Sequence, residues 1–190
     1  MGILRRGRPK PIYAPTVRVS KGEALALWER YYERGLYFYS KGNYEDALAD
    51  LDEAIANVRK NGELYAARGM ILQQMGQHDL AEEDFEMALQ IDPRQWVVYY
   101  LRAYRAYQQK QYDEAIALSS EAARFAPLRP EVLFLRAMAY YSRGEIQRAF
   151  DEMEIALNNF DDPTDKEQRK LHRSMKKFYN QLKRELKGKK

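Results

Sequence analysis

His78 and His172 are the two histidines of this 190-residue chain; they lie far apart in sequence, with no cysteine anywhere and no glycine-rich phosphate loop. The missing thiols remove thiolate catalysis, disulfides and sulfur-ligated metals. A lone imidazole is a weak basis for acid–base catalysis without a nucleophile and an orienting group beside it. His78 reads as a packing residue and His172 as one solvated among cations, so the expectation is no enzymatic activity, no cofactor and no metal. Binding chemistry is far better supplied. Fifteen tyrosines offer apolar area with a polar tip, which suits a recognition surface. Thirty-two Lys and Arg against 28 Asp and Glu give a net charge of +4. That charge is segregated: +5 over residues 1–27, −8 over 28–161 and +7 over 162–190.

These side chains are positioned by a unit that recurs every 34 residues. Gly42, Gly76, Lys110 and Gly144 fall at that period, as do Ala47, Ala81, Ala115 and Ala149, and Ala54, Ala88, Ala122 and Ala156. The first column marks a turn that needs a left-handed residue, which Gly adopts at little cost and Lys110 does not. Before each turn, small residues at Gly35, Gly69, Ala103 and Ala137 are flanked by larger ones at helical spacing. After it, Ala47, Leu51, Ala54 and their copies give a second helix a matching small stripe, so the two axes can approach closely. Four stacked helical hairpins follow.

These columns resemble the tetratricopeptide repeat, whose pattern has a small residue in the first helix, Ala, a large apolar residue and Ala in the second, and a closing Pro. Pro93 and Pro127 fit that closure, while Arg59 and Asp161 stand in the same column of the outer units. His78 and Ile146 replace the aromatics at Tyr44 and Tyr112, and Ser119 replaces the large apolar residue found at Leu51, Phe85 and Met153. The resemblance implies an all-α fold, a right-handed α-α superhelix of four hairpins, here with a C-terminal capping helix. Its expected divisions are a basic extended arm over 1–19, four repeats within 20–161 (about 28–61, 62–95, 96–129 and 130–163), the capping helix over 164–187 and a basic tail at 188–190. Ser20 with Glu23, and Thr164 with Glu167, read as capping boxes that start the first and last helices. In the last helix, Leu171, Met175, Phe178, Leu182 and Leu186 form one apolar stripe.

An arginine column recurs at Arg34, Arg68, Arg102 and Arg136. Each lies eight residues before its turn, and Asp50, Asp84 and Glu152 lie eight after, so an antiparallel hairpin sets Arg34, Arg68 and Arg136 opposite acids. In the third unit the count lands on Leu118, which leaves Arg102 to a backbone carbonyl or to Glu121, with contact to a ligand as the alternative.

One step round from the packed stripe, the first helices present Tyr32, Leu36, Tyr39, Met70, Gln73, Tyr100, Tyr104, Tyr107, Phe134, Met138 and Tyr141. By the resemblance this is the concave groove that grips an extended peptide or a helix. Family members that capture chaperone carboxylates carry Lys and Asn here, where this chain has Tyr32, Leu36, Ala66 and Met70. The expected partner is therefore an apolar or aromatic segment, and the expected role a protein-interaction adaptor. The same rings could instead pack between first helices or against the chain's own ends. The basic ends carry the alternative, a nucleic-acid-associated protein with polyanion contacts at Arg5, Arg6, Arg8, Lys10, Lys176, Lys177, Lys183 and Arg184. Arg6-Gly7-Arg8-Pro9 resembles the core of an AT-hook, in which Gly admits the backbone to an A·T-rich minor groove between arginines. Self-association, basic end against acidic body, is a third expectation. No membrane span is present, and the basic start lacks a signal-peptide core, so the cytoplasm is the expected location.

Overall fold

The computed structural model describes residues 27–160 and 162–188. These form α1 (Leu27–Lys41), α2 (Tyr44–Asn57), α3 (Gly62–Met75), α4 (His78–Ile91), α5 (Trp96–Gln108), α6 (Tyr112–Phe125), α7 (Pro130–Ser142), α8 (Ile146–Asn158) and α9 (Lys166–Gly188), with no strand among the described residues. Successive helices pair into four antiparallel hairpins, and the hairpins stack so that α1, α3, α5 and α7 neighbour one another in turn. α9 packs on α8 at the end of the stack. No helix among the described residues is long and apolar enough to cross a membrane. The capping box at Ser20 and Glu23 lies outside the described residues, as does the arm over 1–19.

All four turns close the same way. The N–H groups of Asn43, Gln77, Gln111 and Glu145 donate to the carbonyls of Phe38, Leu72, Ala106 and Tyr140 at 2.9–3.0 Å, satisfying carbonyls that a helix end leaves open. That geometry requires a left-handed residue just before the donor. Gly42, Gly76 and Gly144 take φ of 81–84°, and Lys110 is driven to 64° in the same position. A side chain there costs about 1–2 kcal/mol, of which glycine's greater chain entropy would return about half. Lys110→Gly is accordingly expected to raise the unfolding free energy by about 0.5–1 kcal/mol, read from urea midpoints at constant slope. An unchanged or lower midpoint would mean that the Lys110 side chain contributes something the turn geometry does not show.

The small stripes lie in closely packed seams. Ala47, Ala54, Ala88, Ala115, Ala122, Ala149 and Ala156 have no exposed surface, and Ala81 almost none. One buried cluster joins the first three hairpins and reaches α7 through Val132 and Leu135. A second joins α7 and α8 to Leu171, Met175 and Leu182 of α9. In the third hairpin α6 buries only small residues, Ala115, Ser119 and Ala122, and Ser119 stands in the large-apolar column. Its hydroxyl is buried and donates to the Ala115 carbonyl at 2.6 Å, so the polar group is satisfied within its own helix.

The arginine column forms the expected pairs, Arg34 with Asp50 at 2.6 Å, Arg68 with Asp84 at 2.7 Å and Arg136 with Glu152 at 2.8 Å. It also reaches backwards. Arg68 bonds Asp52 of the preceding hairpin at 2.6 Å, and Arg136 bonds Ser120 at 3.3 Å. Arg102 follows this second rule, pairing with Glu82 on α4 and not with Glu121, which bonds Arg124 instead. An arginine between two stacked hairpins sees two second helices, and counting within one hairpin reveals half of its partners. The start of α9 is likewise shifted by one residue. Asp165, not Thr164, accepts the capping bond from the Gln168 N–H at 2.8 Å, and Gln168, not Glu167, reaches back to the Thr164 N–H at 3.0 Å.

Candidate functional site

The first-helix face expected to form the groove is largely a packed seam. Leu36, Tyr39, Met70, Gln73, Tyr100, Tyr104 and Phe134 are buried. Tyr32, Tyr107, Met138 and Tyr141 are half-buried and form its accessible part. Ring contacts run along it: Trp96 with Tyr100 at 6.3 Å, Tyr100 with Tyr104 at 6.5 Å, and Tyr107 with Tyr112 at 5.8 Å. Burial pushes the Tyr104 phenol up to about 12, partly offset by its bond with Gln108. Burial raises Tyr39 further, with Tyr44 and Tyr104 adding to it. Both phenols are therefore neutral at ordinary pH, and the seam carries no charge of its own.

In the fourth hairpin the chain's own α9 takes part of this face. Phe178 packs edge-on against Tyr141 at 5.4 Å and tilted against Phe134 at 5.9 Å. The Tyr141 hydroxyl donates to Glu185 at 2.9 Å and accepts from Gln181 at 2.8 Å. Burial and the Glu185 carboxylate both raise its pKa. The accessible rim is thus narrower than the eleven-residue face, because large rings at this spacing fill the gaps between first helices before they meet solvent.

The opposite side of α9 is a different surface. Leu171, Met175 and Leu182 are buried, while Lys176, Lys177, Lys183 and Arg184 are exposed on the outer face. Nine Lys and Arg stand against two acids along this helix. Arg5, Arg6, Arg8 and Lys10 lie outside the described residues. His172 stacks on Phe160 at 4.9 Å, and His78 sits at the start of α4, far along the chain. Among the described residues no group of His, Asp and Glu stands close enough to hold a metal ion.

Two tetratricopeptide repeat family models match the sequence, one over residues 62–95 and one over 100–165, together just over half of the chain. The chain belongs to the tetratricopeptide repeat family. Solved structures agree on the fold. A thermophilic TPR protein of Thermus thermophilus is 18% identical, with a TM-score of 0.64 over 78% of this chain and 80% of that one. PilF of Pseudomonas aeruginosa is 23% identical, with a TM-score of 0.64 over 82% of this chain and 76% of that one. YrrB, described as a TPR protein with an unusual peptide-binding site, is 17% identical, with a TM-score of 0.51 over 70% and 68%. No curated protein matches the sequence. The architecture is therefore an all-α TPR solenoid, a right-handed superhelix, and this fold is that of protein-interaction scaffolds.

One feature of the TPR array escapes the repeat columns. Gln73, Gln74, His78, Arg105, Gln108 and Gln109 line a cavity of about 130 Å³ where the ends of α3 and α5 meet the start of α4. Only Gln73 belongs to the face read from the sequence. The available signal was Arg105, a cation outside the arginine column with Gln residues on either side of its turn and no acid in register with it.

Proposed function

We propose that this TPR protein is a non-enzymatic cytoplasmic adaptor that holds an apolar or aromatic peptide segment along its first-helix face. The observation that carries this reading is the half-buried rim of Tyr32, Tyr107 and Met138, set on helices whose inner faces are fully packed and bounded by Tyr141, which α9 engages. Such a rim offers rings and a thioether to a ligand at low entropic cost, because the backbone beneath is already ordered. The peptide-binding site named for YrrB is in keeping with it. Tyr104 is a poor probe of the groove, since its burial means that truncation would damage the core. Tyr107→Ala and Met138→Ala reach the rim instead. Peptides selected from a random library on the full chain are expected to be rich in aromatic and apolar residues and to keep their affinity in 0.1–1 M salt, taken as roughly one decade of screening. Each substitution is expected to weaken them about 5- to 50-fold, or about 1–2 kcal/mol. Selected peptides that bind both variants as well as the parent chain would end the reading.

A second reading rests on the basic outer face of α9. Its apolar stripe is used against α8, so the exposed side offers charge alone, which suits a phosphate backbone read without sequence. Under it, a DNA duplex or a single-stranded RNA binds the chain with an affinity that falls steeply with salt. Joint replacement of Lys176, Lys177, Lys183 and Arg184 by Glu is expected to lower the log–log salt slope by about 3 or more. Removing residues 1–19 tests the arm in the same assay, and a preference for A·T-rich duplex lost with the arm would support the hook. A salt-independent signal would end this reading, and growth of particle mass at low salt without nucleic acid would point to self-association instead.

A further inference from the structure

We propose that the cavity between α3, α4 and α5 is a subsite for an acidic side chain of a bound peptide, with Arg105 taking the carboxylate and Gln73 the adjoining backbone N–H. Six nitrogen-bearing side chains line it and no carboxylate does. Its volume of about 130 Å³ is several times the share of one water molecule, about 30 Å³, and leaves room for a carboxylate with the carbons that carry it.

The charge balance singles out Arg105. Arg34, Arg68, Arg102 and Arg136 each meet a carboxylate. Arg105 is half-buried, meets no acid among the described residues, and has a buried Nε without an acceptor. The Nε atoms of Arg102 and Arg136 are also unbonded, but their terminal nitrogens hold Glu82 and Glu152, so their charge is answered. An unanswered, partly desolvated guanidinium is costly, and an anion in planar contact with it removes the cost.

Gln73 supplies the second half of the recognition. It is 7% exposed, its Nε2 donates to the Leu101 carbonyl at 3.3 Å, and its Oε1 is buried with no donor. An orphan acceptor beside an orphan cation asks for a group that brings an N–H together with a negative charge. An Asp or Glu within a peptide does so, since an amide N–H lies within a few bonds of its carboxylate. α4 begins at the same cavity without a side-chain cap, so its first N–H groups and its positive end favour the same ligand. Gln108 bonds the Tyr104 hydroxyl, which places the cavity at the edge of the tyrosine seam.

This subsite rests on the peptide-binding reading, and its test is independent of the rim. The full chain, labelled with ¹⁵N, is titrated with N-acetylaspartate N-methylamide while the Arg105 Nε–Hε signal is followed. A saturable shift with a dissociation constant of the order of 1 mM is expected, as for a single well-placed contact; it should persist in Tyr107→Ala, and the accompanying shift of the Gln73 side-chain amide, which remains observable, should vanish in Arg105→Gln. The uncharged asparagine analogue is expected to leave the signal still. No saturable shift, or an equal shift with the asparagine analogue, would overturn the proposal. A shift with N-acetylalanine or inorganic phosphate but not with the aspartate probe would overturn it as well, assigning the cavity to a chain terminus or to a free anion.

Discussion

Met175→Asp is expected to release α9 from the solenoid and to lower the unfolding free energy by about 3–5 kcal/mol. Met175 has no exposed surface and lies in one cluster with Leu133, Phe134, Ala137, Ala149, Met153, Ala156, Leu171 and Leu182. A carboxylate there must lose its hydration or take up a proton, and no cation of the cluster can receive it. Leaving the cluster is the cheaper course, but it carries Leu171 and Leu182 into water too, at about 1.5–3 kcal/mol for each side chain. It also opens the stacked Phe150–Tyr179 pair, whose centroids are 4.9 Å apart, and bares Phe134. Once free, a helix with nine cations and a single apolar stripe has little to hold it in shape, since isolated helices depend on packing. Urea unfolding gives the magnitude and hydrogen exchange the location: α9 amides should lose protection first, followed by α8. Lys176→Asp, one residue on and exposed, is the control and should stay within about 0.5 kcal/mol. A loss below about 1 kcal/mol in Met175→Asp would mean that α9 does not act as the end cap of the stack.

What could be read from the residues follows from which contacts a local count can reach. The turn column, the small stripes and three of the arginine pairs depend on register within one hairpin, and each is present as expected. The backward contacts of Arg68, Arg102 and Arg136 depend on how one hairpin stacks on the next, a rotation that no column spells out. Burial of the tyrosine face has the same origin. The spacing of Tyr100, Tyr104 and Tyr107 placed them on one side of α5, but only the distance between neighbouring first helices decides that the first two are enclosed and the third reaches the surface. The Arg105 cavity was harder still, because its side chains come from three helices and the turn after α5, and only Gln74 and Gln108 share a column.

Gly69→Ala is the second large effect, a net loss of about 2 kcal/mol from adding one methyl group. Glycine inside a helix costs about 1 kcal/mol relative to alanine, so the substitution starts with a gain of that size. Packing reverses it. A Cβ on Gly69 would lie 2.6 and 2.8 Å from two ring carbons of Phe85 and 3.0 Å from the Ala81 carbonyl oxygen. Phe85 is almost fully buried and the carbonyl belongs to α4, so neither can yield without moving the helix, at the upper end of the 1–3 kcal/mol usual for overpacking. The same column holds Ala103 and Ala137, whose units place Ser119 and Met153 where α4 has Phe85. Gly35 is intermediate, its added Cβ 3.2 Å from the Ala47 oxygen and 3.4 Å from Leu51. The small column and the large column therefore compensate each other unit by unit. In Gly69→Ala combined with Phe85→Leu, the two losses should fall short of additivity by at least about 1 kcal/mol, measured as a double-mutant cycle. Additive losses, or a stabilised single variant, would remove the steric account. Because this seam fixes how α3 lies on α4, the single variant should also displace Met70 and Gln73, and with them both the rim and the Arg105 cavity.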